Sequence, residues 1–445
     1  MRCPRTCLPP GTLSASSVAV RCAGCILSVS VLWAAPGYAQ STEEADGHSA
    51  IGQFLADQHV SAWLRLDYFR SSNSLDETRN LVGGTLQIKA LSRLNESLDA
   101  KIEGRLAEPD IRGRPGYGPE SQLLEGYLTI HFGHADLRIG KQIVAWGRAD
   151  GINPTDNLTP RNYRVLLPLE EDQRFGTTSA RLDTYLSQAL TLTVFVSPYF
   201  EPDRFPLPTT GLAVETQKPG HTLSSTEEGI RLNKVSGDFD WSLSYYHGYS
   251  LIPMAGSTGS AFELFYNRMD VLGADCARNF GRFGFRTELA YALPRVHPDV
   301  DPNATRPRLF WVAGIDRTFL EELNLNLQGF VRWMPRYQDP VSLFDPMERN
   351  VGALNVTISG QESGVSPGLT FRVSDLWWND TLRAELLAIT NFTRGDGYLR
   401  PLLSYDVSDH LRLTLGGNLY RGPRTAQYGV LRSDSGMFAE FRYGL

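Results

Sequence analysis

Residues Leu323–Trp333 read LNLNLQGFVRW, with leucine at every odd position of the first half and a polar residue between each pair. A repeat of two is the side-chain period of an extended strand, and it sorts apolar and polar groups onto opposite faces. The same alternation returns in SLDAKIEGRL, HLRLTLGGNLY and MFAEFRYGL, so it runs the length of the chain. Beyond the first forty residues no stretch approaches the roughly 20 apolar residues of a membrane-crossing helix. Such a chain is confined to an all-β fold whose strands have two unlike faces.

Alternation bounded by turn residues predicts eighteen strands. They cover 58–70, 80–92, 97–107, 121–132, 135–146, 176–186, 188–200, 226–236 and 238–250. The second nine are 262–277, 280–293, 308–319, 322–336, 361–375, 379–394, 396–407, 409–421 and 434–445. The links alternate between long and tight. Long ones fall at 71–79, 108–120, 147–175, 201–225, 251–261, 294–307, 337–360 and 422–433, with one exception at Gly395. A sandwich has no reason to alternate in this way, whereas a transmembrane barrel carries short turns on one rim and long loops on the other. The expected fold is one antiparallel transmembrane β-barrel of about eighteen strands, with short periplasmic turns and long extracellular loops. Lys141 is the exception in phase: unbroken alternation puts it on the lipid face, and a bulge at Gly140 is expected to correct this.

Residues 1–39 read as a secretory signal: Arg2, Arg5 and Arg21 supply charge, Ala23–Ala35 an apolar core, and Gly37-Tyr38-Ala39 a cleavage site. Residues 40–57 then form a short periplasmic lead-in and 58–445 the barrel. Removing a leader with three arginines and no acid takes the formal net charge from −6 to −9, which argues against nucleic-acid binding. Four of the five cysteines leave with the leader, so only Cys276 remains and no internal disulfide can form. Stability must come from elsewhere, and closing a large sheet on itself is one way. These features imply the Gram-negative outer membrane, with its lipid and lipopolysaccharide as surroundings.

In a barrel the polar face encloses the lumen. The candidate lumen residues are Arg65, Arg105, Arg138, Arg181, Arg231, Arg286, Arg332, Arg372, Arg383, Arg400, Arg412 and Arg442. With Lys89, Lys101 and Arg282 they make fifteen cations against nine acids inside an acidic protein. Rings of such charge select anions, and arginine forks onto carboxylate or phosphate. Pairing with acids across the wall is the competing role for each arginine. The long link 147–175 is the expected constriction, since loops of this length in compact proteins are commonly functional. Its candidate residues are Arg148, Asp150, Asp156, Arg161, Arg164, Glu171, Asp172 and Arg174.

The run LRIGKQIVAWGRADGINPTDNLTPR resembles the signature of alginate-export-type porins and related outer-membrane barrels. The matching residues are Arg138, Gly140, Gln142, Trp146, Gly147, Asn153, Pro154 and Asp156. The likeness implies an eighteen-strand barrel, a monomer, and passage of polysaccharide or another anionic solute. The closing MFAEFRYGL resembles the assembly signal of outer-membrane barrels, which implies periplasmic chaperones and the barrel-assembly machinery as partners.

Enzymatic signals are weak. Gly364–Gly368 matches GxSxG but lies in an expected strand rather than on a strand-turn-helix elbow. His131 and His247 are the nearest histidines for a rim hydrolase, and neither has a serine partner in sequence. The histidines have no metal-ligand spacing, and no cofactor is expected. The expected function is a non-enzymatic channel; the alternatives are a non-conducting barrel acting as receptor or assembly partner, and an outer-membrane hydrolase.

Overall fold

A computed structural model describes residues 59–75, 78–108, 120–163, 171–205, 214–258, 261–295, 301, 303–320 and 322–445. Their alternating segments form β1 (His59–Leu75), β2 (Thr78–Asn95), β3 (Leu98–Glu108), β4 (Glu120–His131), β5 (Ala135–Gln142), β6 (Thr177–Tyr185) and β7 (Leu190–Ser197). Next come β8 (Val214–Gln217), β9 (Glu227–Lys234), β10 (Phe239–Tyr249), β11 (Met254–Thr258), β12 (Ala261–Phe265), β13 (Arg268–Phe280) and β14 (Phe283–Pro294). The last are β15 (Arg308–Phe319), β16 (Leu323–Trp333), β17 (Val365–Trp377), β18 (Leu382–Asn391), β19 (Asp396–Ser408), β20 (Leu411–Arg421) and β21 (Gly436–Gly444).

Eighteen of these strands make one antiparallel sheet, and β1 pairs with β21 to close it. Closure removes both edges, so every wall strand has neighbours on both sides. The leucines of the alternating faces point outward: Leu64, Leu66, Ile102, Leu243, Leu327 and Leu415 are exposed, while Arg65, Asp67, Arg105, Asn326 and Gln328 are buried inside. Outward aromatic residues stand at or near strand ends, among them Phe132, Phe280, Trp333, Trp377, Phe441 and Tyr443. An oily belt on a closed sheet with its polar face inside is a membrane-crossing barrel.

Several boundaries depart from expectation. The strand expected at 262–277 is two elements: β12 leaves the wall and β13 re-enters at Arg268, running on to a turn at Gly281-Arg282. The break is at Asn267, whose buried amide donates to Ala304 O at 2.9 Å. Arg282 therefore sits in a turn instead of on the lumen wall. The link expected at 71–79 is largely strand, since β1 runs to Leu75 and β2 starts at Thr78, with the register of their pairing shifting between Arg70 and Leu75. The strand expected at 135–146 stops at Gln142 because the chain there turns into the barrel.

Lys141 stays in phase, and its pairing with Gly126 and Thr178 is unbroken. The bulge expected at Gly140 is absent; the irregularity lies in β4, where the register steps from Glu125 to Leu123. The amine is instead met by Glu201 at 2.9 Å and lies 5.5 Å from the Phe175 ring. A paired cation needs no phase shift.

On the long-loop rim, β8, β12 and β11 form a small sheet that no alternation count foresaw. Helix α1 (Pro346–Ser359) packs on it, burying Val351 with Ala255 and Leu264. Asn355 exchanges two hydrogen bonds with the backbone of Ala255, at 2.6 and 2.9 Å. The helix starts where Asp345 accepts from Met347 N and Glu348 N, with proline in the first turn, and stops at Gly360 in the left-handed region.

Candidate functional site

The site is built where the chain after Gln142 leaves the wall. Val144, Trp146 and Leu158 pack against the inward side chains Phe195, Tyr246, Met269, Val271 and Ala290. Trp146 lies over Gly229 so closely that a Cβ there would meet its ring at 2.8 Å. A second cluster gathers Ala149 with Val312, Phe330 and Ile389 of three further strands. Both clusters are apolar and lie on inward faces, so hydrophobic burial holds the segment inside the barrel.

Between them is one carboxylate. Glu288 is fully buried on β14 and accepts four hydrogen bonds from the entering segment. Its Oε2 takes Arg148 N at 3.0 Å and Ala149 N at 3.1 Å. Its Oε1 takes Thr155 N at 2.7 Å and Thr155 Oγ1 at 2.8 Å. Gly147 makes the approach possible: its φ is +97°, and a Cβ would lie 2.5 Å from Glu288 Oε2.

From this anchor the segment reaches widely around the ring. Arg148 donates to Asp275 at 3.1 Å and Asn233 at 2.6 Å. Asp150 takes Asn326 Nδ2 at 3.2 Å and pairs with Arg372. Asp156 is almost wholly buried and binds both Arg161, at 3.3 Å, and Arg174, at 2.6 Å, tying the start of the segment to its return. Asn162 donates to Glu120 and Gln122 of β4. Asp172 meets Arg65 at 2.7 Å, and its carbonyl accepts from Arg105. Contacts thus run from β14, β16 and β17 to β1, β3 and β4, across the enclosed space. Arg164 and the side chain of Glu171 lie outside the described residues.

One acid stands at the junction with the loop after β7. Asp203 accepts Arg161 N–H at 2.7 Å, and burial pushes its carboxyl up to about 7.

The twelve candidate arginines all sit at inward positions of the register. Eight have a carboxylate partner: Arg65, Arg181, Arg231, Arg286, Arg372, Arg383, Arg400 and Arg412. Arg105 bonds a carbonyl and Gln87, and Arg138 bonds Thr129 while lying over Tyr127. Arg332 lies over both Phe310 and Phe330, and Arg442 over Trp63. Pairing is the rule, but it does not enclose every group. The side chains of Arg383 and Arg412 remain 53% and 50% exposed beside their acids.

The inward apolar residues Val271, Ala290, Val312, Phe330 and Ile389 depart from the expectation of one oily and one polar face on every strand. The signal was available: Phe310-Trp311-Val312 is apolar on both faces, the pattern of a strand covered on both sides.

The enzymatic candidates are otherwise engaged. His247 sits between Asp270, at 2.6 Å, and Arg268, at 3.0 Å, and His131 between Asp136 and Asp99. Ser366 of the GxSxG match accepts the N–H groups of Glu362 and Ser363, each at 3.0 Å. Among the described residues no group of three or more metal-ligating side chains converges.

No family model and no curated protein matches the chain. In structure it is similar to Acinetobacter baumannii OccAB1, with a TM-score of 0.57, 8% identity, and 87% of this chain and 96% of that one covered. It is also similar to the outer membrane protein OpdK of Pseudomonas aeruginosa, at 0.53 and 12% identity, covering 88% and 99%. OccK5 (OpdH) of the same organism gives 0.53 and 10%, covering 88% and 98%. At such identities the likeness is one of fold. The chain has the transmembrane β-barrel architecture of these outer-membrane proteins.

Proposed function

We propose that the chain is a porin-like channel of a Gram-negative outer membrane that passes anionic solutes, with the segment 147–175 as its constriction. The observation that carries this reading is the half-exposure of Arg383 and Arg412 on inward faces despite their acid partners. A guanidinium that water reaches inside a barrel can also meet a carboxylate or phosphate in transit and offset part of its desolvation. The partner acid keeps the encounter weak, and passage needs binding loose enough to release. The motif likeness to alginate-export porins adds acidic polysaccharide to the candidate cargo. The precursor would be exported through a cleaved leader, assembled by the barrel-assembly machinery, and work as a monomer without enzymatic activity.

Reversal potentials in a salt gradient test the selectivity. The wild type should prefer chloride over potassium, and Arg383→Glu with Arg412→Glu should move the potential toward cation preference. A potential indifferent to both changes removes the anion pathway.

A receptor that conducts nothing is the second reading. The close pairing of eight inward arginines and the small sheet with α1 on the long-loop rim favour it. It is distinguished by silence in a bilayer.

A further inference from the structure

The outer face of β10, β13, β14 and β15 is not uniformly oily. Register places three successive rows on it. The first is Leu243, Ala274, Leu289 and Trp311. Then come Trp241, Cys276, Thr287 and Ala313, and last Phe239, Arg278, Phe285 and Ile315. Ala274, Cys276 and Thr287 are the small residues of the upper two rows, with Trp241, Leu243, Leu289 and Trp311 standing around them. The result is a groove of about 550 Å³ in the lipid-facing wall. Its floor is dry. Trp311 Nε1 donates to Thr287 Oγ1 at 2.9 Å, and that hydroxyl donates to Val312 O at 2.8 Å.

Beneath the groove, at the short-turn rim, the same face turns cationic. Arg278 lies over the Phe280 ring at 5.0 Å, and Arg317 over Phe283 and Phe319 at 4.7 and 4.3 Å. Arg282 is exposed in the adjoining turn. The neighbouring acids are engaged elsewhere. Asp316 pairs with Arg286 on the inward face, and Asp240 accepts from Ser236 N and Gly237 N. Among the described residues none of the three guanidinium groups has a carboxylate partner.

A cationic shelf at the membrane interface directly below an apolar groove is complementary to one kind of molecule. We propose that this face holds a glycerophospholipid of the inner leaflet, its phosphate on Arg278 and Arg317 with Arg282 alongside, and one acyl chain in the groove. Two residues of strand separate successive rows, about 7 Å, so headgroup and chain are reached by one lipid. Aromatic rings beneath the guanidinium groups hold them at the interface, where they stay charged and donate to phosphate.

Native mass spectrometry of the mature barrel, released from detergent after incubation with phosphatidylglycerol, tests the site. The wild type should retain one phospholipid. Arg278→Ala with Arg317→Ala should reduce the retained fraction about tenfold, the scale of a lost charge-assisted contact. Ala274→Phe fills the groove without touching the shelf and should reduce it similarly. Arg295→Ala, at the opposite rim, should change nothing. Heat-modifiable electrophoretic mobility checks that each variant is folded. Retention unaffected by the shelf or groove changes overturns the proposal, as does equal loss in Arg295→Ala. Glycerophosphoglycerol without chains binding as well as the lipid would also overturn it.

Discussion

Glu288 and Gly147 show how much rests on single atoms. The carboxylate satisfies three backbone N–H groups and one hydroxyl of a segment that otherwise has no ladder to join. Glu288→Ala orphans all four buried donors and should cost on the order of 3 kcal/mol. Gly147→Ala adds a Cβ where the carboxylate already sits and strains a positive φ. In either variant hydrogen exchange over 143–163 should accelerate by at least about tenfold while the strands keep their protection. Unchanged exchange would mean the carboxylate is not the anchor. Asp203 sets a pH dependence at the next junction. Its folded value of about 7 lies above the ordinary 3.8, so the folded state holds this proton more tightly. Stability is therefore highest below the ordinary value and is lost as pH rises through about 7. Asp203→Asn should flatten that slope in urea midpoints measured across the window.

At the scale of elements, the wall was legible and its contents were not. Period-two alternation is local, and each strand carries it whether or not its partners are known. LNLNLQGFVRW could hardly be anything but a half-buried strand, and it is β16. The apolar clusters inside the barrel depend on a segment more than a hundred residues away from Val271 and Val312, so no single strand announces them. Helix α1 could have been read from Asp345-Pro346 at its start and Gly360 at its end. The small sheet could not, because β8 pairs in parallel with β12, which is distant in sequence. Of the candidate site, the motif around Trp146-Gly147 proved the most informative stretch. Its residues make the contacts that dock the segment: Trp146 against Gly229, Gly147 against Glu288, and Asp156 between two arginines. Trp146→Ala empties a buried indole site and should cost about 3–5 kcal/mol of docking. Limited proteolysis would then cut within 147–163, where the wild type should resist.

At the scale of the molecule, closure turns an ordinary strand pattern into a device. The sheet has no edges, the oily faces need no core of their own, and the inner space is available to a loop. Charge follows the same division. In a chain of net −6, twelve arginines sit at inward positions of the register, and eight of them are paired with acids, with Arg383 and Arg412 half-exposed beside theirs. Net charge alone would have pointed away from the proposed anion pathway; the sorting of residues by face is what suggests it.

The most direct test is single-channel current through the purified mature protein in a planar bilayer, compared with a variant in which residues 149–173 are replaced by a short glycine-serine link. A wet interior narrowed by a docked segment predicts steady discrete openings in the wild type and a severalfold larger conductance in the variant. A wild-type barrel that inserts and passes no current, with a variant no different, would contradict it.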